Sequence, residues 1–96
     1  MPDFKLLYHR KVVGEDIPKL DPPNRKRIKA AIEAKLVDRP EEFAKPLAYT
    51  KAALWSLRVG NWRVIFGLRG DEIWILKIGH RRDVYQGLDR EIPSQP

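Results

Sequence analysis

The chain has 96 residues, no cysteine, and nineteen Lys and Arg against thirteen Asp and Glu, a formal charge of +6. That length makes a single domain, able to bury roughly 60–65% of the surface its unfolded chain exposes. Without cysteine there is neither a disulfide nor a thiolate metal site, and neither "MPDFKLLYHRK" at the N-terminus nor any later run has the apolar core of a signal peptide or membrane span, so a cytoplasmic protein with no membrane partner is expected.

In chain order, Phe4 to Tyr8 is apolar with one lysine and reads as a first strand. "KVVGEDIPKL" is interrupted by Gly14 and Pro18, which fits a short helix with an irregular middle. "LDPPNRKRIKAAIEAKLVDRP" is the clearest helix. Asp21 is a capping residue, the two prolines suit a first turn where a missing N–H costs nothing, and Pro40 stops it. Ile28, Ala31, Ile32, Lys35 and Leu36 recur at helical spacing and form one buried stripe. "EEFAKPLAYTKAA" reads as a polar connection with at most one helical turn at its start.

Three strands follow, Leu54–Val59, Trp62–Arg69 and Glu72–Gly79, joined by Gly60-Asn61 and Gly70-Asp71, both good hairpin loops. "IWIL" is apolar at consecutive positions, as an inner strand covered on both faces would be. The expected fold is α+β in the order β-α-α-β-β-β. It is a mostly antiparallel sheet with two helices on one face and the other face open and concave. Residues 1–92 form this domain, and the last residues, 93–96 within "EIPSQP", are expected to be a loose tail.

If Gly60-Asn61 is the whole first loop, Val59 faces Trp62, Leu57 faces Val64, and Arg58 faces Arg63 on the same side. Like charges directly opposite destabilise a strand pair by a few tenths to about 1 kcal/mol, so the pair asks for a reason. With the apolar set under the helices, the arginines point to the open face. A two-residue second loop puts Trp74, Leu76, Ile78 and His80 on that face, and a three-residue loop reverses the assignment. Either way the last strand ends beside Gly60-Asn61, delivering "HRRDVY" there: His80, Arg81, Arg82 and Tyr85.

Guanidinium groups grip phosphate through a rigid fork and stay charged at any physiological pH. A phosphate between Arg58 and Arg63 would turn their repulsion into shared attraction; the alternative is an ordinary solvated pair. The charge excess also favours a polyanion. It is concentrated after Ala44, with nine basic and five acidic residues there against ten and eight before. Other chemistries lack their residues. Two separated histidines, no HExxH or DxD spacing, no P-loop and no GxSxG leave no metal or nucleotide signature, and no cofactor is expected. Metal-free RNA cleavage fits, because the nucleophile is the substrate's own 2′-hydroxyl. The protein need only align it, stabilise charge on phosphorus and protonate the leaving oxygen.

The chain resembles RelE/ParE-superfamily toxins of type II toxin–antitoxin systems, and within them the RelE-type branch. The resemblance lies in "DIPKL", "RIKAAIEAKL", "KPL", "LRVGNWRVIF" and above all "ILKIGHRRDVY". It implies a ribosome-dependent endoribonuclease that cuts mRNA, and a cognate, acidic, RelB-like antitoxin that blocks the cleft. Carried across, Arg63 contacts the scissile phosphate, Arg81 stabilises charge and assists the leaving group, and Tyr85 stacks on the substrate nucleotide. Arg58 matches a basic strand position, and Lys51 and Arg82 join it as substrate-binding residues. Well-studied members hold lysines where this chain has Leu54 and Ser56, so the general base falls to His80 or Lys51. Two other outcomes stay open: a ParE-like inhibitor of DNA gyrase without catalysis, and a weakened toxin that mainly binds antitoxin or RNA.

Overall fold

The structure, a computed structural model, describes residues 4–36, 44–46, 54–86, 88 and 90–93. Strand β1 is Lys5–Tyr8. The interrupted stretch after it forms one π-helical turn, Val12–Asp16, running into a 3-10 turn, Ile17–Lys19. Leu20 then turns extended and is buried, ending the stretch.

Helix α1 is Pro22–Lys35, with Asp21 at the capping position. Its carboxylate accepts from Asn24 Nδ2 at 2.6 Å instead of capping a backbone N–H. Pro22 and Pro23 carry no N–H groups in the first turn, which removes two of the backbone donors at this helix start. Ile28, Ile32 and Leu36 are buried as the spacing requires, whereas Lys35 is exposed and drops out of the stripe. Pro40 and the start of the connection that follows lie outside the described residues.

Among the described residues the sheet has five strands, one more than the sequence alone suggests, in the order β1-β5-β4-β3-β2. The added strand is β2, Ala44–Pro46, on the edge beside β3, Leu54–Val59. Three residues are too few for an alternation to register, and proline is tolerated only on an edge. Strands β4, Trp62–Arg69, and β5, Glu72–His80, complete the meander, while β1 pairs parallel to β5. Both loops have two residues, with glycine first at φ +61°, the pattern of a type II′ turn. Arg58 pairs with Arg63 in register.

The two faces carry separate apolar clusters. Under α1 lie Leu57, Val59, Val64, Phe66, Ile73, Ile75 and Ile78 with Ile28, Ile32 and Leu36. On the opposite face Leu54, Ile65, Leu76 and Val84 are buried, with Trp74, Leu88 and Ile92 packed against them. The second face is therefore not open along its length, because the C-terminal segment folds back over it. Arg69 Nη1 donates to the Pro93 carbonyl at 2.6 Å, and residues 94–96 lie outside the described ones.

A second tie closes the free edge of β5 beyond β1. Asp16 accepts the Ile78 N–H at 2.9 Å and is gripped by Arg90 at 2.6 and 3.1 Å. Arg90 also donates to the Leu76 carbonyl at 3.0 Å. Asp16 is the one buried charged residue among those described, and its carboxylate is fully engaged.

Candidate functional site

The Arg58–Arg63 pair is put on its face by alternation: Leu57, Val59, Val64 and Trp62 turn toward α1, so the residues between them turn away. Opposite Arg63 on β5 is Gly79. An ideal Cβ there would lie 3.2 Å from Val84 Cβ and Cγ2, so the missing side chain is what lets the segment after β5 lie against the sheet. That segment is a tight turn. Asp83 and Val84 donate to the His80 carbonyl at 3.0 and 2.9 Å, Gln86 to the Asp83 carbonyl at 3.1 Å, and Arg81 to the Asn61 carbonyl at 2.8 Å. Val84 is buried as a result, and the next residue, Tyr85, reaches β3, its Oη 3.2 Å from Ser56 Oγ.

Arg63 is half-buried, and its Nη1 donates to the Gly60 and Trp62 carbonyls at 3.0 and 2.9 Å, which fixes the guanidinium against the loop. Arg58, Arg81 and Arg82 are exposed, and Tyr85 keeps 47% of its surface in solvent. Arg81 is tied by its backbone to the same loop that Arg63 grips, so both arginines belong to one end of the sheet. Among the described residues, none of Arg58, Arg63, Arg81 and Arg82 is in ion-pair contact with a carboxylate; the pairs found there are Arg69–Glu72, Arg90–Glu15 and Arg90–Asp16.

His80 is a correction. The two-residue loop puts it on the arginine face only if β5 pairs without interruption. A bulge intervenes, with Ile65 opposite Lys77 but Phe66 opposite Ile75. The extra residue reverses the alternation beyond it. Trp74 and Leu76 stay on the arginine side, Ile78 and His80 move to the helix side, and Lys77 and Gly79 take their places. The His80 ring lies edge-on to Trp62 at 5.6 Å, and its Nδ1 accepts the Arg82 N–H at 3.2 Å. It thus supports the Arg81–Arg82 turn from behind. Together with Asp16, Lys19, Trp62 and Asp83 it lines a cavity of about 340 Å³ on that side.

Lys51 lies outside the described residues. Two lysines the sequence reading leaves out stand on the arginine face. Lys77 arrives through the bulge, its Nζ donating to the Gln86 carbonyl at 2.9 Å. Lys45 arrives through β2, opposite Ser56. Neither carried a local signal, since one needs the bulge and the other an unforeseen strand. No group of His, Asp and Glu suited to hold a metal occurs among the described residues.

Residues 9–85 match the family described as ParE toxin of type II toxin-antitoxin system, parDE. In fold the chain is similar to the toxin–antitoxin complex RelBE2 of Mycobacterium tuberculosis, with a TM-score of 0.76 and 24% identity over 86% of this chain and 97% of that one. The RelE–RelB complex of Pyrococcus horikoshii OT3 follows with a TM-score of 0.67 and 25% identity over 88% and 100%. The RelB–RelE complex of Methanococcus jannaschii has a TM-score of 0.66 and 25% identity over 84% and 96%. No curated protein matches the sequence. With four fifths of its length inside the match and the fold shared, the chain belongs to the ParE toxin family, a type II toxin of the RelE/ParE superfamily.

Proposed function

We propose that this toxin is a metal-free endoribonuclease that cuts mRNA on the ribosome. The observation that carries the reading is the juxtaposition of Arg58 and Arg63, paired across the hairpin, with Tyr85 laid against Ser56 on β3, the strand that carries Arg58. Together they offer cations for a phosphate and a ring for the neighbouring base. In the reaction the substrate 2′-oxygen attacks phosphorus, the bond to the 5′-oxygen breaks, and a cyclic phosphate and a free 5′-hydroxyl result. Arg63, held against the loop, meets the charge that grows on the phosphoryl oxygens, with Arg58 beside it. Arg81 stabilises the leaving oxygen, and Tyr85 orients the nucleotide. Arg82 contacts the flanking backbone. His80 is left with a supporting part, because its ring is turned to the other side of the sheet.

The partner we infer is an acidic, RelB-like antitoxin, in keeping with the +6 charge and with neighbours solved as RelB–RelE complexes. An apolar groove of about 270 Å³ between the 12–19 turns and α1, lined by Val13, Ile17, Ile28 and Ile32 and flanked by Arg25 and Lys29, suits an amphipathic segment with acidic edges. The toxin would act in the cytoplasm, where its mRNA substrate is.

A second reading, inhibition of DNA gyrase without catalysis, draws on the ParE family match itself. Inducing the chain in cells and mapping mRNA 5′ ends separates the two. Breaks phased with the reading frame support the nuclease, and intact mRNA with damaged DNA supports the gyrase inhibitor. Growth arrest without either points to a weakened toxin that acts by binding.

A further inference from the structure

The arginine face stops short of an explanation for the other side of Tyr85. Arg58 and Arg63 sit toward the Gly60-Asn61 end, and Tyr85 reaches Ser56, one step further down the sheet on that face. A nucleotide resting on that ring has a phosphate on each side, and the arginines account for one.

Strand β2 supplies what is missing. Ala44 pairs with Leu57 and packs into the cluster under α1, and Pro46 pairs with Trp55, which packs there too. Lys45, between them, is thereby turned to the opposite face, directly across from Ser56. Directly opposed residues have Cβ atoms about 4.5–5.5 Å apart, and the diagonal Lys45–Arg58 pair is roughly 7–8 Å apart. A lysine stem spans either distance. Lys45 is exposed, on an edge strand, and in no ion pair among the described residues.

We infer that Lys45 is a substrate-binding residue: its ammonium takes the RNA phosphate on the far side of the base stacked on Tyr85, so that Lys45 and the Arg58–Arg63 pair bracket one nucleotide. The inference rests on the nuclease reading and deepens it by fixing the direction in which the strand runs, across β4, β3 and β2. Lys77, the other lysine on this face, is held by the Gln86 carbonyl and steadies the turn that carries Tyr85.

The test compares the wild type with Lys45→Gln and Lys45→Arg. Cleavage of mRNA on programmed ribosomes gives kcat and KM, and a fluorescent single-stranded oligoribonucleotide gives affinity over a salt series. Lys45→Gln is expected to raise KM about tenfold with little change in kcat, the signature of lost uniform binding. The slope of log affinity against log salt should fall by about 0.7, the value of one phosphate contact to a single strand. Lys45→Arg should restore both, and the melting temperature should not move in either variant. A Lys45→Gln variant with wild-type KM and salt slope overturns the assignment and leaves the nuclease reading standing. Loss of activity in both variants with a fall in melting temperature makes Lys45 structural and also overturns it. A wild-type chain that cuts no mRNA on programmed ribosomes overturns the nuclease reading and this inference with it.

Discussion

Any side chain at position 79 would begin 3.2 Å from Val84, tighter than van der Waals contact, and both the glycine and the valine sit on well-fixed backbone. Gly79→Ala is therefore expected to push the 81–86 turn off the sheet. Overpacking of this kind costs typically about 1–3 kcal/mol, and chemical denaturation would read it. Because Tyr85 leaves with the turn, toxicity should fall further than stability alone explains. Arg81→Glu tests a different link. Its side chain is exposed, so the fold should stand and antitoxin should still bind, while growth arrest disappears. Simple removal of the charge in Arg81→Ala should cost on the order of 10²–10³ in rate, the size of one lost transition-state donor. Tyr85→Phe loses only the contact to Ser56 Oγ and keeps the ring. It should retain most of the cleavage rate, whereas Tyr85→Ala should not; equal loss in both would mean that the hydroxyl, not stacking, is what matters.

At the scale of elements, β5 is the strand that organises the molecule. It is paired on both sides at its start, and beyond β1 its free edge is met by a side chain, Asp16, that came in from the 3-10 and π-helical turns. The carboxylate and the Arg90 guanidinium keep only 7% and 10% of their surfaces in solvent. Breaking a buried pair by removing one member leaves the other charge uncompensated, at about 3–5 kcal/mol. Asp16→Ala should lose that much in a denaturant titration. It should also loosen the C-terminal segment, which protease cleavage after residue 86 would report. The irregular geometry of the 12–19 stretch has its reason here, since Val12 and Leu20 enter the core while Asp16 must face the strand edge. At the turn from β4 to β5 the partly buried pair Arg69–Glu72 plays a lesser part. The Trp74 indole N–H and then the Arg69 guanidinium hold the Glu72 carboxyl below its ordinary pKa.

For the whole molecule, charge and pH are the levers. His9 joins β1 to the helical stretch, its N–H donating to the Ile75 carbonyl and its Nδ1 accepting from the Lys11 N–H. Burial, then the charges of Arg90, Lys11 and Arg10, push its pKa below the ordinary 6.5, with Asp16 opposing. The unfolded chain therefore takes up its proton first as the pH falls through about 6.5, and stability declines from there downward. Melting temperatures measured from pH 8 to 5 should drop in the wild type, and His9→Gln should flatten the lower part of that curve. The excess of basic residues after Ala44 gathers partly on one face, where Arg58 and Arg63 stand opposite each other and Lys45 and Lys77 lie on the neighbouring row, across from Ser56 and Ile65. Association with any polyanion should accordingly weaken steeply with salt.

The hairpin from Leu54 to Arg69, the stripe of α1 and the pairing of Arg58 with Arg63 follow from the sequence by itself, because each depends on neighbours within a few residues. Alternation, helical spacing and a glycine that accepts positive φ are local signals. Tertiary structure alone decided that Ala44–Pro46 adds an edge strand, that β5 carries a bulge and sends His80 behind the sheet, and that Val84 folds the HRRDVY turn over Gly79. It also decided that Asp16 meets Arg90, 74 residues away. The common reason is that a bulge, an edge pairing or a buried ion pair is chosen by what lies across the fold, and such distant partners leave no period in the chain.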